Sequence, residues 1–179
     1  MLILLSTLVF AEPTATTVLK NGSCPSGYNS SGEYCKPSSS AKFAIEKIGS
    51  CPSGYNSSGN YCLASRGASL AMHKSGSCPS GYNSSSSYCL AQKEQRYTAL
   101  TPTTVPKSGS CPSGYSSSGD YCKPSSSAKF AVLKEGSCPS GYNSSGNYCL
   151  AGSSAKYALP KNGSCPSGYN SSGNYCLKY

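Results

Sequence analysis

Twelve cysteines fall into six pairs at one spacing, and that regularity restricts the chain more than any other feature. The pairs are Cys24 and Cys35, Cys51 and Cys62, Cys78 and Cys89, Cys111 and Cys122, Cys138 and Cys149, and Cys165 and Cys176, each enclosing ten residues. Successive first cysteines lie 27 residues apart, except for one step of 33 between Cys78 and Cys111. A period of this size marks a tandem architecture. A longer period is also present: CKPSSSAKFA runs from Cys35 to Ala44 and again from Cys122 to Ala131, so a block of three repeats stands twice.

The composition leaves little for an ordinary core. Of the 37% hydrophobic residues, twelve are Cys and fifteen are Tyr; there is no Trp and there are three Phe. Small repeats cannot bury enough surface alone, so cross-links or stacking must supply the missing stability. Evenly paired cysteines point to an oxidising compartment. A zinc reading would need ligands bunched at short spacing with histidines, and His73 is the only histidine.

Residues 1–11, MLILLSTLVFA, read as a short or truncated secretory signal, with the mature chain beginning at Glu12. The segment is too short to span a bilayer, which takes about 20 apolar residues. Residues 12–90 form the first three-repeat block, 91–110 a longer spacer holding Pro102 and Pro106 that reads as a hinge, and 111–179 the second block.

Before every first cysteine two positions spaced by two precede a lysine: Thr16 and Val18 before Lys20, Phe43 and Ile45 before Lys47, Leu70 and Met72 before Lys74. The frame repeats with Thr103 and Val105 before Lys107, Phe130 and Val132 before Lys134, and Tyr157 and Leu159 before Lys161. Alternation of this kind predicts a short half-buried strand. A helix over AKFAIEK or AKFAVLK is the competing reading, but isolated helices below ~12 residues are marginal.

Within the staple, Cys-Pro-Ser-Gly suits a type I turn with Pro second and Gly fourth. Asn-Ser-Ser-Gly then suits a type I turn with a glycine bulge. Such a turn sets Tyr28 opposite Tyr34, with the matching pairs Tyr55 and Tyr61, Tyr82 and Tyr88, Tyr115 and Tyr121, Tyr142 and Tyr148, and Tyr169 and Tyr175. The third copy has Ser86 where the others have Gly, which predicts a strained or altered turn. Each cysteine is expected to bond its own repeat partner, closing a loop worth ~3 kcal/mol in chain entropy. Cross-linking between neighbours, for example Cys35 to Cys51, is the alternative.

The fold expected is therefore a small, disulfide-rich, mainly β array of six stapled hairpins with short strands between them, stacked as a solenoid or strung as beads on flexible spacers. The copies GSCPSGYNSSGEYC, GSCPSGYNSSGNYC and GSCPSGYSSSGDYC resemble the two-cysteine repeats of uncharacterised secreted bacterial proteins, and the resemblance implies no activity. The layout matches neither epidermal-growth-factor-like modules nor plant chitin-binding modules.

No catalytic constellation stands out. His73 lies in a spacer beside Lys74 and reads as solvent-facing, no serine has a nucleophile-elbow context, and every cysteine has a partner. Among the carboxylates, Glu33 and Asp120 are in staple loops while Glu46, Glu94 and Glu135 are in spacers. The chain reads as no enzyme, with no cofactor and no metal.

Binding is the remaining chemistry. The twelve staple tyrosines either pack over the disulfides or present exposed rings to sugars or peptides. The six frame lysines, Lys20, Lys47, Lys74, Lys107, Lys134 and Lys161, either keep strand edges from pairing with other chains or, if repeats stack, form a stripe for a polyanion. The net charge of +9 agrees with either. Asn21, Asn29, Asn56, Asn83, Asn143, Asn162 and Asn170 match the N-glycosylation pattern, though Asn and Ser are turn residues in their own right.

The leading expectation is an exported, non-enzymatic protein of the cell surface or matrix, structural or adhesive. A carbohydrate- or polyanion-binding module is the alternative, and a cationic antimicrobial or inhibitor a third. Surface or matrix polysaccharide is the expected partner, ahead of nucleic acid, with self-association open.

Overall fold

The structure is a computed structural model that describes residues 13–92 and 100–179. These residues form six three-stranded antiparallel sheets, one per repeat, and no helix among them is long and apolar enough to cross a membrane. Each sheet has a lead strand before the first cysteine, a hairpin strand after it, and a central strand carrying the second cysteine. The lead strands are Val18–Leu19, Ala44–Glu46, Ala71–His73, Val105–Pro106, Ala131–Leu133 and Ala158–Pro160. The hairpin strands are Tyr28–Ser31, Tyr55–Ser58, Tyr82–Ser85, Tyr115–Ser118, Tyr142–Ser145 and Tyr169–Ser172. Between them run the central strands Tyr34–Pro37, Tyr61–Ala64, Tyr88–Ala91, Tyr121–Pro124, Tyr148–Ala151 and Tyr175–Lys178. The strand reading of the spacers therefore holds, AKFAIEK and AKFAVLK included. Pro106 and Pro160 are tolerated because the lead strand is a sheet edge.

All six disulfides join cysteines of the same repeat, Cα to Cα 5.4–5.5 Å, as the spacing predicts. No cysteine is free, which fits an oxidising environment.

Both turns differ from the sequence expectation. The first starts one residue later: Tyr28 N–H donates to Pro25 O at 3.0 Å, and Gly27 at its third position has φ 85°. That is the type II arrangement, which requires positive φ at the third position. The second turn is a two-residue hairpin, because Ser31 pairs directly with Tyr34. Gly32 has φ 59° while Glu33 stays negative, the pattern of a type II′ turn. The turn is centred later, on Gly32 and Glu33, and this shifts the register, so Tyr28 pairs with Pro37 and not with Tyr34. The same correction applies in every copy, from Tyr55 with Ala64 to Tyr169 with Lys178. Ser86 keeps the glycine geometry at φ 55°, so the third hairpin retains its register at the cost of a left-handed non-glycine residue.

Successive side chains of a strand point to opposite faces, and here both faces are covered. In each central strand the tyrosine faces the preceding repeat and the cysteine faces the following one. Tyr61 thus packs with Tyr28, Cys35 and Ala44, whereas Cys62 packs with Tyr88 and Ala71. The most buried lead-strand positions are accordingly the alanines Ala44, Ala71, Ala131 and Ala158, not the larger residues flanking them.

The six central-strand tyrosines join the repeats. Each is at most 1% exposed, and its hydroxyl both donates and accepts across the joint. Tyr61 donates to Leu19 O at 2.7 Å and accepts from Asn21 N at 2.6 Å. Tyr88 does the same with Glu46 O and Ile48 N, Tyr121 with His73 O and Ser75 N, Tyr148 with Pro106 O and Ser108 N, and Tyr175 with Leu133 O and Glu135 N. Tyr34 of the first repeat completes the set on the last one, donating to Pro160 O at 2.9 Å and accepting from Asn162 N at 2.6 Å. A serine joint follows the same path: Ser26 N donates to Ser58 Oγ at 3.0 Å, and Ser167 N donates to Ser31 Oγ at 2.9 Å.

The stapled array is therefore neither an open stack nor a string of beads. It closes into a ring of six sheets, in the manner of a propeller with three-stranded blades, leaving no terminal sheet face unpaired among the described residues. The two three-repeat blocks meet at both seams through the same tyrosine clamp as every other joint. Of the spacer 91–110, residues 93–99 lie outside the described residues, and Val105–Pro106 supplies the lead strand of the fourth sheet.

Candidate functional site

The first residue of each alternating pair, one per repeat, reaches a common cavity: Thr16, Phe43, Leu70, Thr103, Phe130 and Tyr157. Convergence of six equivalent positions defines the ring axis and makes the lead strands the inner ones. The cavity holds about 220 Å³, and its wall is largely apolar. Phe130 and Tyr157 tilt against each other with centroids 5.8 Å apart. Burial pushes the Tyr157 hydroxyl up to about 12, partly offset by a hydrogen bond from Thr16. Sequence reasoning identified these residues as strand positions; their meeting at an axis has no local signature.

The ring has two ends. The hairpin turns lie at one, with the frame lysines, because each lysine follows its lead strand and donates its backbone N–H to a turn residue, as Lys20 does to Glu33 O. All six lysines are exposed, and each ammonium donates to a hairpin-strand serine hydroxyl, Lys20 to Ser30 Oγ at 2.9 Å and Lys47 to Ser57 Oγ at 3.0 Å. The others, Lys74, Lys107, Lys134 and Lys161, repeat the bond with Ser84, Ser117, Ser144 and Ser171. The lysines thus form a ring and not a stripe. Glu33, Glu46, Asp120 and Glu135 share that end, so its field is mixed.

At the opposite end the central strands finish and the loops cross to the next repeat. Lys36, Lys42, Arg66, Lys123, Lys129, Lys156 and Lys178 lie there, and no acidic residue does among the described residues. This segregation of charge was not visible in the sequence, where basic residues are spread evenly along the repeats.

The tyrosines divide into two sets. Tyr34, Tyr61, Tyr88, Tyr121, Tyr148 and Tyr175 are sealed in the joints and offer no ring face to a ligand. Of the hairpin-strand set, Tyr28, Tyr55, Tyr115 and Tyr142 are buried, and Tyr82 and Tyr169 are half-buried. The expectation of exposed stacking rings is thereby reduced to those two. Burial raises the hydroxyls of Tyr115 and Tyr142 to about 12.

His73 is half-buried: its ring lies 5.5 Å from that of Tyr88, and Nε2 sits 2.8 Å from Glu46 O at the exposed side of the joint. Among the described residues no three of His, Cys, Asp and Glu gather where a metal ion would sit.

What the geometry defines is a closed, disulfide-stapled ring with one basic end and a small axial cavity. No protein-family model, curated protein or solved structure matches the chain.

Proposed function

We propose that the protein is exported and works without catalysis at the cell surface or in the matrix, holding an anionic polysaccharide against its basic end. The observation that carries this reading is the segregation of charge: seven basic and no acidic side chains among the described residues of one end, against a mixed field at the other. A one-signed surface on a rigid frame attracts a polyanion over roughly a Debye length, about 8 Å at physiological salt. An adhesive role follows from the same surface, since a polymer bound by many rings ties them together. The stapled frame suits an unprotected extracellular setting, because its loop constraints persist where no chaperone acts.

The test is retention of the oxidised protein on acidic polysaccharide supports compared with neutral chitin, over a series of salt concentrations. Retention on the acidic supports that falls steeply with salt is expected, and replacing Lys42, Lys129 and Lys156 together with Glu abolishes it. Equal retention on neutral and acidic supports, or none on either, defeats the reading. Cell fractionation with free-thiol counting checks export: a cytosolic protein with free thiols would overturn it.

A further inference from the structure

Two of the six joints differ from the other four, and the differences coincide. At the third position of the central strand four repeats have Leu63, Leu90, Leu150 and Leu177; the first and fourth have Lys36 and Lys123. Each of these lysines crosses to the preceding repeat, Lys36 Nζ to Ser167 Oγ at 3.4 Å and Lys123 Nζ to Ser80 Oγ at 3.2 Å.

The turn glycine beside them also has a different neighbour among the described residues. In four repeats a Cβ on that glycine would meet Ala41, Ala68, Ala128 or Ala155 from the following loop. At Gly168 and Gly81 it would instead meet the ammonium of Lys36 at 3.3 Å or of Lys123 at 3.4 Å.

The hairpin-strand tyrosine changes partner at the same two places. Tyr28, Tyr55, Tyr115 and Tyr142 donate to the carbonyls of Lys42, Ser69, Lys129 and Lys156. Tyr169 instead pairs with Thr17 Oγ1 at 3.2 Å, and Tyr82 with the Thr104 side chain. The result is a cleft at each seam, about 140 Å³ around Thr17, Lys36, Pro37 and Tyr169, and about 280 Å³ around Thr104, Lys123, Pro124 and Tyr82. Residue for residue the two correspond with an offset of 87 (104 − 17, 123 − 36, 124 − 37, 169 − 82).

We propose that these seam clefts are two equivalent binding sites, each for one acidic sugar unit of a polysaccharide. The ammonium meets the carboxylate, the tyrosine and threonine hydroxyls meet ring hydroxyls, and the proline and tyrosine faces lie against the apolar side of the sugar. The size agrees: both clefts fall below the roughly 300–1,000 Å³ of a drug-sized site, leaving room for a single small ring. Both lie toward the basic end at opposite joints of the ring, so one polymer engages two points. Such bivalence raises avidity by ~10²–10⁴ when the spans match. This inference rests on the polysaccharide reading above but can fail separately.

The test titrates glucuronic acid, a glucuronate-containing oligosaccharide and neutral glucose into the intact oxidised protein by calorimetry and NMR. Two equivalents of the acidic sugars and none of glucose are expected. K36L or K123L leaves one equivalent, and the double variant weakens binding at least tenfold; leucine at this position is what four repeats already carry, so the fold is retained. Replacing the frame lysines Lys47, Lys74 and Lys134, at the other end of the ring, with Gln leaves the two equivalents unchanged. Undiminished binding by the K36L/K123L protein overturns the inference, as does equal loss from the Gln variants. A protein retained on acidic polysaccharide but indifferent to K36L/K123L loses the clefts and keeps the function. One that binds two glucuronates yet ignores the polymer keeps the clefts and loses the function.

Discussion

Replacing Tyr34 with Phe tests whether the ring is closed. The substitution keeps the buried ring and removes only the hydroxyl, which donates to Pro160 O and accepts from Asn162 N, 126 and 128 residues away. A net hydrogen bond is worth ~0.5–1.5 kcal/mol, so the pair contributes ~1–3 kcal/mol. Pro160 and Asn162 are themselves exposed, water can replace part of what is lost, and the lower half of that range is expected. For a chain of this size ~1 kcal/mol lowers Tm by roughly 2–4 °C. Tyr61→Phe is the internal comparison, since Tyr61 makes the same two bonds to Leu19 and Asn21 within the first block. In a ring the two variants melt alike, both some degrees below the parent. In an open array the first repeat has no predecessor and Tyr34→Phe is silent. Calorimetry under oxidising conditions decides: a silent Tyr34→Phe beside a destabilised Tyr61→Phe refutes closure, and silence in both refutes the clamp.

Ser86→Gly should stabilise by ~0.5–1 kcal/mol, because it relieves the one described non-glycine residue at positive φ, and a Tm at or below the parent's would contradict the strain argument. Raising pH should destabilise the ring only above about 10. Tyr115 and Tyr142 ionise near 12 when folded and near 10 when unfolded, so their contribution is complete below 10 and is lost as pH rises toward 12, by about 1.4 kcal/mol per pH unit each. Tyrosinate absorbance that rises no later in the folded than in the reduced, unfolded protein would count against it. Reduction of all six disulfides should unfold the chain, since each closes an eleven-residue separation worth ~3 kcal/mol. Far-ultraviolet dichroism unchanged by reductant would show that the joints suffice alone.

The local architecture was legible and the assembly was not. Local disulfides, a strand before each first cysteine and a hairpin inside each staple all follow from short-range spacing and turn chemistry. The register was misread because Gly32 reads as the last residue of an Asn-Ser-Ser-Gly turn, whereas it opens the two-residue turn Gly32-Glu33, and the later turn moves the partner of Tyr28 from Tyr34 to Pro37. Ala44 and its equivalents carried no core signal of their own, because alternation predicts one buried face and not two. The tyrosine clamps act across 42 residues at Tyr61 and Leu19, and across 126 at Tyr34 and Pro160, separations at which a single sequence carries no pattern. The seam clefts did leave a trace: Lys36 and Lys123 break a run of leucines at one frame position, and a repeat protein's departures from its own consensus are where to look for chemistry.

Closure also makes the number of repeats a structural property. An open array accepts one unit more or fewer, because each unit brings one interface with it. Here every wedge fills a sixth of a turn, and a seventh copy of the 27-residue unit would force all the joints to new angles or leave one gaping. Copying errors within so repetitive a coding sequence would thus be filtered by geometry, with whole rings folding and miscounted ones exposing a sheet face to their neighbours.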